Sequence, residues 1–303
     1  MARKLKRTIH DGSVFGSVMI YLVAVLLAII TVYPIVFVIS NSISDPVASA
    51  TGQVWLLPKG FSTAAFEFVF QSPNFWRAFL NSVMYTVFIT VGQLIVDMMC
   101  AYGLSKKGML GRKWLVIFIL IPMWFSAGLI PTFVNITQLG LYNKVWAVLL
   151  QGLFSVYNCI LARTFIMRLP SEIMDAARVD GASVPDVFFR IVLPLSKPIM
   201  AVLGLYIAIG AWNNWYSYMI YMPTRSELHP LQYFLMKTLV QASSAQSGLG
   251  ISMEQTLQNL QLSYVLPQLK YAMIVVAVTP ILCVYPFVQK YFVQGVMLGS
   301  LKE

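Results

Sequence analysis

The run Trp212-Asn213-Asn214-Trp215-Tyr216-Ser217-Tyr218 sets flat aromatic rings beside side-chain amides and hydroxyls. That combination stacks on the apolar faces of a sugar ring and hydrogen-bonds its hydroxyls. Counted as a helix, Trp212, Trp215 and Tyr216 fall at i, i+3 and i+4, which predicts one shared face. The same residues also build aromatic belts, because Trp and Tyr gather at membrane surfaces. Substrate contact and belt therefore stand side by side as readings. Asp97 is a second candidate, a carboxylate deep in an apolar stretch, where ionisable groups mark either a pathway or a paired structural site. No second acid supports proton coupling. His10 and His229 lie far apart in sequence, on opposite sides of the expected topology. With them no Ser/His/Asp site and no metal cluster can be built, so no catalytic residue and no metal ligand is assigned. Cys100, Cys159 and Cys283 sit singly in apolar stretches and read as small buried hydrophobes.

The elements that must position these residues are membrane spans. The 303 residues are 58% hydrophobic and only 11% charged, against about 25% charged in a soluble chain. A spanning helix needs about 20 mostly apolar residues, and six segments qualify: 14–39, 79–103, 114–133, 145–165, 198–222 and 271–292. The first has a basic start at Arg3, Lys4, Lys6 and Arg7. Its apolar run is too long for a secretory signal core and no cleavage pattern closes it, so it is expected to be a retained helix. The net charge of +10 could suggest nucleic acid, but the basic residues cluster beside apolar runs, where they orient a membrane protein. Fifteen Lys and Arg fall in the N-terminal tail, the connections after the second and fourth spans, and the C-terminal tail. Only Lys59, Arg77, Lys144, Arg225, Lys237 and Lys270 fall on the other side. Both termini are therefore expected in the cytoplasm. The outer segments 41–77 and 223–270 are too long for turns and are expected to fold over the mouth of the bundle. The chain reads as one all-α transmembrane domain, 1–303, with no recognisable nucleotide site: no Gly-rich loop ending in Gly-Lys-Ser/Thr occurs.

The connection between the fourth and fifth spans, 169–195, carries a denser pattern. It begins Leu169-Pro170-Ser171-Glu172 and predicts a helix, a sharp turn at Gly181 and a second helix. Ser171 is the expected N-cap, with Glu172 favoured beside the positive helix end. Gly181 can take the left-handed conformation that ends a helix. Ser183, followed by Pro185 and Asp186, can start the next one. Ala176 and Ala177 carry little bulk and permit close approach by another surface, and Phe188 and Ile191 share a face.

This loop resembles the Glu-Ala-Ala motif of bacterial ABC-importer permeases, matching at Ala176, Ala177, Asp180, Gly181, Ala182, Phe188, Ile191, Leu193 and Pro194. The departure is Asp175 in place of Glu, which keeps the charge and shortens the reach. The resemblance implies a coupling helix seated in a groove on an ATPase subunit, with Asp175, Ala176, Ala177, Asp180, Gly181, Ala182 and Phe188 as docking residues. ATP and Mg would sit on the ATPase chains and no cofactor on this one. The run Ala211-Trp212-Asn213-Asn214-Trp215-Tyr216, then Leu228-His229-Pro230-Leu231-Gln232, and the ending Gly295-Val296-Met297-Leu298-Gly299-Ser300 resemble carbohydrate permeases of the maltose-importer class, and most its branch for complex oligosaccharides. That implies a second homologous permease, two ATPases, an extracellular solute-binding protein, an oligosaccharide cargo and a bacterial inner-membrane location, with no nucleic-acid partner. The candidate pathway residues are then Trp212, Asn213, Asn214, Trp215, Tyr216 and Asp97. An amino-acid or peptide importer is the alternative within the same mechanism. An ion-coupled secondary transporter is the alternative outside it, which would call for broken helices at the membrane midplane.

Overall fold

The computed structural model describes residues 14–245, 267–284 and 286. The basic tail at Arg3, Lys4, Lys6 and Arg7, together with His10, Lys290, Lys302 and the motif 295–300, lies outside the described residues, as do residues 246–266 of the second outer segment. Among the described residues every regular element is helical: α1 (Val14–Ser42), α2 (Pro46–Ala50), α3 (Ala64–Gln71), α4 (Pro73–Ser105), α5 (Arg112–Trp124), α6 (Leu129–Gln138), α7 (Trp146–Leu149), α8 (Val156–Ile166), α9 (Ser171–Val179), α10 (Val184–Val187), α11 (Leu193–Leu195), α12 (Lys197–Asn213), α13 (Tyr216–Tyr221) and α14 (Leu231–Ala245), with α15 at Pro267–Val284. Among the described residues four stretches are long and apolar enough to cross a membrane: most of α1, α4, residues 146–166 and α15. Counting each of two bent pairs as one span gives up to six: α5 with α6 at 113° and residues 184–195 with α12 at 79°. The third span expected as one rod, 114–133, is thus broken at 125–128. Pro122 weakens the end of α5, and Gly128 takes a left-handed φ of +81° that a helix cannot continue through.

The chain forms two compact units, one within residues 1–69 and 243–276, the other within 70–242 and 277–303. In the first, α1 ends in buried polar residues, which the helix itself and the segment after it satisfy. Ser40 Oγ donates to the Leu56 carbonyl at 2.7 Å, and Asn41 Nδ2 donates to the Phe37 carbonyl at 2.9 Å. The fully buried Gln268 amide donates to the Ser42, Ser44 and Ser62 carbonyls at 3.2, 2.8 and 3.0 Å. Asp45 caps α2 by accepting from the Val47 and Ala48 N–H groups.

In the second unit α4 is the common wall for α8 and α12. Two apolar clusters lie along it. Tyr85, Ile89, Ile207, Tyr218 and Met222 form one, and Met98, Tyr102, Cys159, Val192 and Leu203 the other. Buried Cys159 takes the apolar role expected of it, whereas Cys283 is exposed. Gly92 allows the closest approach: a Cβ there would stand 2.6 Å from the Leu153 side chain.

Candidate functional site

The connection 169–195 folds as two short helices around a preset corner. Pro170, not Ser171, occupies the N-cap position of α9, and no side chain caps it. Ser171 is instead the first helical residue, since Pro170's fixed φ lets it stand just outside. The C-terminus closes by a Schellman pair: Ala182 N–H donates to the Ala177 carbonyl at 2.9 Å and Gly181 N–H to the Arg178 carbonyl at 3.0 Å. Gly181 sits at φ +82°, and no described atom lies within 4 Å of where its Cβ would be. The next helix starts on a full capping box between Ser183 and Asp186. Arg190, one turn further on, adds an ion pair to Asp186 at 3.4 Å.

α9 has no buried residue. Met174 and Ala177 lean on the chain's own core, while Asp175, Ala176 and Asp180 are exposed and Val179 is 89% exposed. Asp175 is paired with Arg178 at 3.1 Å, both outside. Phe188, one of the expected docking residues, faces the chain's own core. It is buried against Tyr102 in the core, at the start of a π-helical turn, 188–192. That turn brings Phe188 and Val192 inward together, so Phe188 anchors the corner rather than presenting it.

The aromatic run does not form one helical face. α12 ends at Asn213, Asn214 is extended (ψ 94°) and α13 starts afresh at Tyr216. Asn214 Oδ1 accepts from the Ser217 N–H at 3.2 Å, and this local bond competes with continuing the helix. The break scatters the three rings. Trp212 is buried, donates from Nε1 to the Ala277 carbonyl at 3.0 Å, packs edge-on against Phe79, and lines an apolar cavity of about 210 Å³ with Val83 and Leu205. Trp215 is half-buried against the core and meets Tyr216 edge to face at 5.9 Å; Tyr216 and Asn213 are exposed. Asn213 Oδ1 accepts from Gln232 Nε2 at 3.3 Å.

Asp97 is fully buried. Its Oδ1 accepts from the Ser155 N–H at 3.0 Å and its Oδ2 from Gln93 Nε2 at 3.2 Å. The apolar stretch 146–166 is interrupted at Phe154, which is extended, and Ser155 restarts the helix as the N-cap of α8. Asp97 therefore supplies the acceptor that the interruption leaves wanting in an apolar setting. Of its two readings, structural pairing is what this geometry makes.

One group of polar residues escaped the sequence reading. Asn81 Nδ2 donates to the Glu227 and His229 carbonyls at 2.9 and 3.2 Å, Ser82 Oγ accepts from the Leu231 N–H at 2.7 Å, and Tyr85 donates to the Leu228 carbonyl at 3.2 Å. Asn81 and Ser82, four and three residues before Tyr85 on α4, join it in holding residues 227–231 against the helix. Their spacing was the only available signal. His229 ends buried with its Nε2 2.8 Å from the Met222 carbonyl. Burial lowers its pKa, with Lys237 adding to the shift and the Met222 carbonyl and Glu227 opposing it.

Apolar helices long enough to cross a membrane, two bent pairs among them, and an exposed helical corner between two such stretches are the architecture of a membrane protein. Residues 73–217 match the family described as binding-protein-dependent transport system inner membrane component. The chain is 36% identical to Protein LplC of Bacillus subtilis (strain 168) over 276 residues, 90% of each chain. It is 33% identical to the polygalacturonan/rhamnogalacturonan transport system permease protein YtcP of the same organism, over 98% of this chain and all of that one. It also matches a chain in the crystal structure of a bacterial ABC transporter involved in import of the acidic polysaccharide alginate, with TM-score 0.82, 34% identity, and coverage of 93% and 99%. The chain belongs to this family of ABC-transporter permeases, as the loop 169–195 led one to expect.

Proposed function

We propose that this chain is the permease subunit of an ATP-driven importer of an oligosaccharide. In this reading it has six spans, counting each bent pair as one, with both termini in the cytoplasm of a bacterial inner membrane. It pairs with a second permease, two ATPases that hold ATP and Mg, and an extracellular solute-binding protein. The observation that carries the proposal is the corner 169–195. Its turn is preset by Gly181, and its second helix is anchored inward by Phe188. Asp175, Ala176, Val179 and Asp180 project outward, away from the chain's own core. A rigid, small-residue, partly apolar projection suits insertion into a partner's groove. The carbohydrate assignment is supported by relatives named for polygalacturonan/rhamnogalacturonan and arabinooligosaccharides. The pathway contacts narrow to Asn213, Asn214, Trp215 and Tyr216, with Trp212 and Asp97 serving the scaffold.

The test is to purify the tagged permease from its native membrane, identify the ATPase that accompanies it, and reconstitute the assembly in vesicles with its binding protein. ATP-dependent accumulation of a labelled oligosaccharide, and not of amino acids or peptides, is the expected result. Uptake that proceeds without ATP, or a permease that carries no ATPase, would overturn the reading.

A further inference from the structure

Between the end of α4 and the start of α5 lies an open cavity of about 640 Å³ whose wall includes Lys107, Arg112, Lys113 and Arg163, with no acid among its lining residues. The ion pairs among the described residues lie elsewhere in the fold: Arg178 with Asp175, Arg190 with Asp186 and Arg225 with Glu227. Arg163 comes from α8 and is tied by Nε to the Leu104 carbonyl at 3.0 Å, which leaves its other nitrogens for the cavity. Arg112 reaches the Met167 sulfur at 3.9 Å, and its charge is close enough to act on Arg163. Four cations thus converge on one opening, and among the described residues none of them forms an ion pair.

Lys106, next in sequence to Lys107, is engaged elsewhere, donating to the Tyr102 hydroxyl at 2.7 Å. α5 starts beside the cavity after Gly111, with no side-chain cap on its first N–H groups, so the positive end of a 13-residue helix adds to the cations there. Trp114 (74% exposed) and the apolar Ile117 continue the wall along α5.

We propose that this cavity binds the phosphate headgroup of an anionic phospholipid, with Arg112, Lys113, Lys107 and Arg163 around the phosphate and an acyl chain lying along Trp114 and Ile117. This rests on reading α4 and α5 as parts of spans, which puts the short connection between them, residues 106–111, at the membrane boundary. Basic pockets between spans at that level suit anionic headgroups, and an interfacial Trp suits the glycerol region. A soluble phosphate would use the cations but not the apolar continuation.

The test uses the purified permease–ATPase complex in vesicles of phosphatidylcholine with or without one quarter phosphatidylglycerol. Lipid retained through purification is then measured by native mass spectrometry. Wild type is expected to retain phosphatidylglycerol selectively. Arg112→Gln with Lys113→Gln should weaken that retention about fivefold per cation removed, while Lys144→Gln, exposed at a different connection, should not. Arg163→Gln should weaken it by a similar factor once retention is normalised to folded complex, a correction needed because its Leu104 bond also supports the fold. Equal retention by wild type and the double variant would overturn the proposal. So would displacement of the lipid by millimolar inorganic phosphate, which would mark a soluble-anion site. Retention by the permease alone that vanishes when the ATPase is bound would also overturn it, by assigning the cations to an acidic protein surface.

Discussion

Replacing Gly181 separates backbone strain from surface fit at the corner of the loop 169–195. Its φ of +82° is left-handed, and an added Cβ meets no described atom within 4 Å. The cost of a side chain within this chain is therefore conformational. An L-residue other than Asn or Asp costs about 1–2 kcal/mol there, which lowers occupancy of the native turn roughly five- to thirtyfold. A β-branched residue costs more, because it is a true outlier in that region. If the turn relaxes, the Ala182-to-Ala177 and Gly181-to-Arg178 bonds are also at risk, each worth about 1 kcal/mol. The assay is ATP-dependent uptake normalised to assembled complex for Gly181→Asn, Gly181→Ala and Gly181→Val, with membrane insertion measured alongside. The expected order is Asn above Ala above Val, with insertion unchanged. If bulk against a partner governs instead, Ala, being smaller, outperforms Asn. That order, or normal uptake by Gly181→Val, refutes the strain argument.

Trp212→Ala should lower the amount of stable complex, by about 3–5 kcal/mol of stability for a buried Trp, with equal proportional loss of uptake for any two sugars. Trp215→Ala should leave assembly nearer normal and change the uptake ratio between the two sugars; an unchanged ratio would remove Trp215 from the pathway. Asp97→Leu leaves the Ser155 N–H and the Gln93 amide without their acceptor, at about 1–3 kcal/mol for each buried group, whereas Asp97→Asn keeps an acceptor and should be milder. Loss of transport with unchanged thermal stability of the purified complex would contradict the structural role. Because burial depresses the His229 pKa below its ordinary 6.5, His229 favours the folded state in its neutral form. That contribution is present above pH 6.5 and is lost as pH falls through 6.5 toward the folded pKa. Thermal melting at pH 5 to 8 should show the decline, and His229→Gln should flatten it.

Membrane location, the apolar segments and the helical corner were legible along the chain, because each rests on local properties. An apolar run of about 20 residues needs lipid whatever its neighbours are, a Gly takes a left-handed turn at little cost, and Ser183 with Asp186 caps the helix they begin. The breaks were not legible. Residues 114–133 and 212–218 are apolar and aromatic enough to pass as continuous helix. What divides them is a Gly128 backbone state in one case and, in the other, an Asn214 side chain bonded to a downstream N–H. The placement of Phe188, Trp212 and Asp97 was decided only by tertiary contacts. Each is a residue whose chemistry allows exposure or burial, and the neighbour that decides lies far along the chain: Tyr102 for Phe188, Ala277 for Trp212, and Ser155 for Asp97. Residue type limits what a side chain can do, and the partner brought to it by the fold determines which of those things it does.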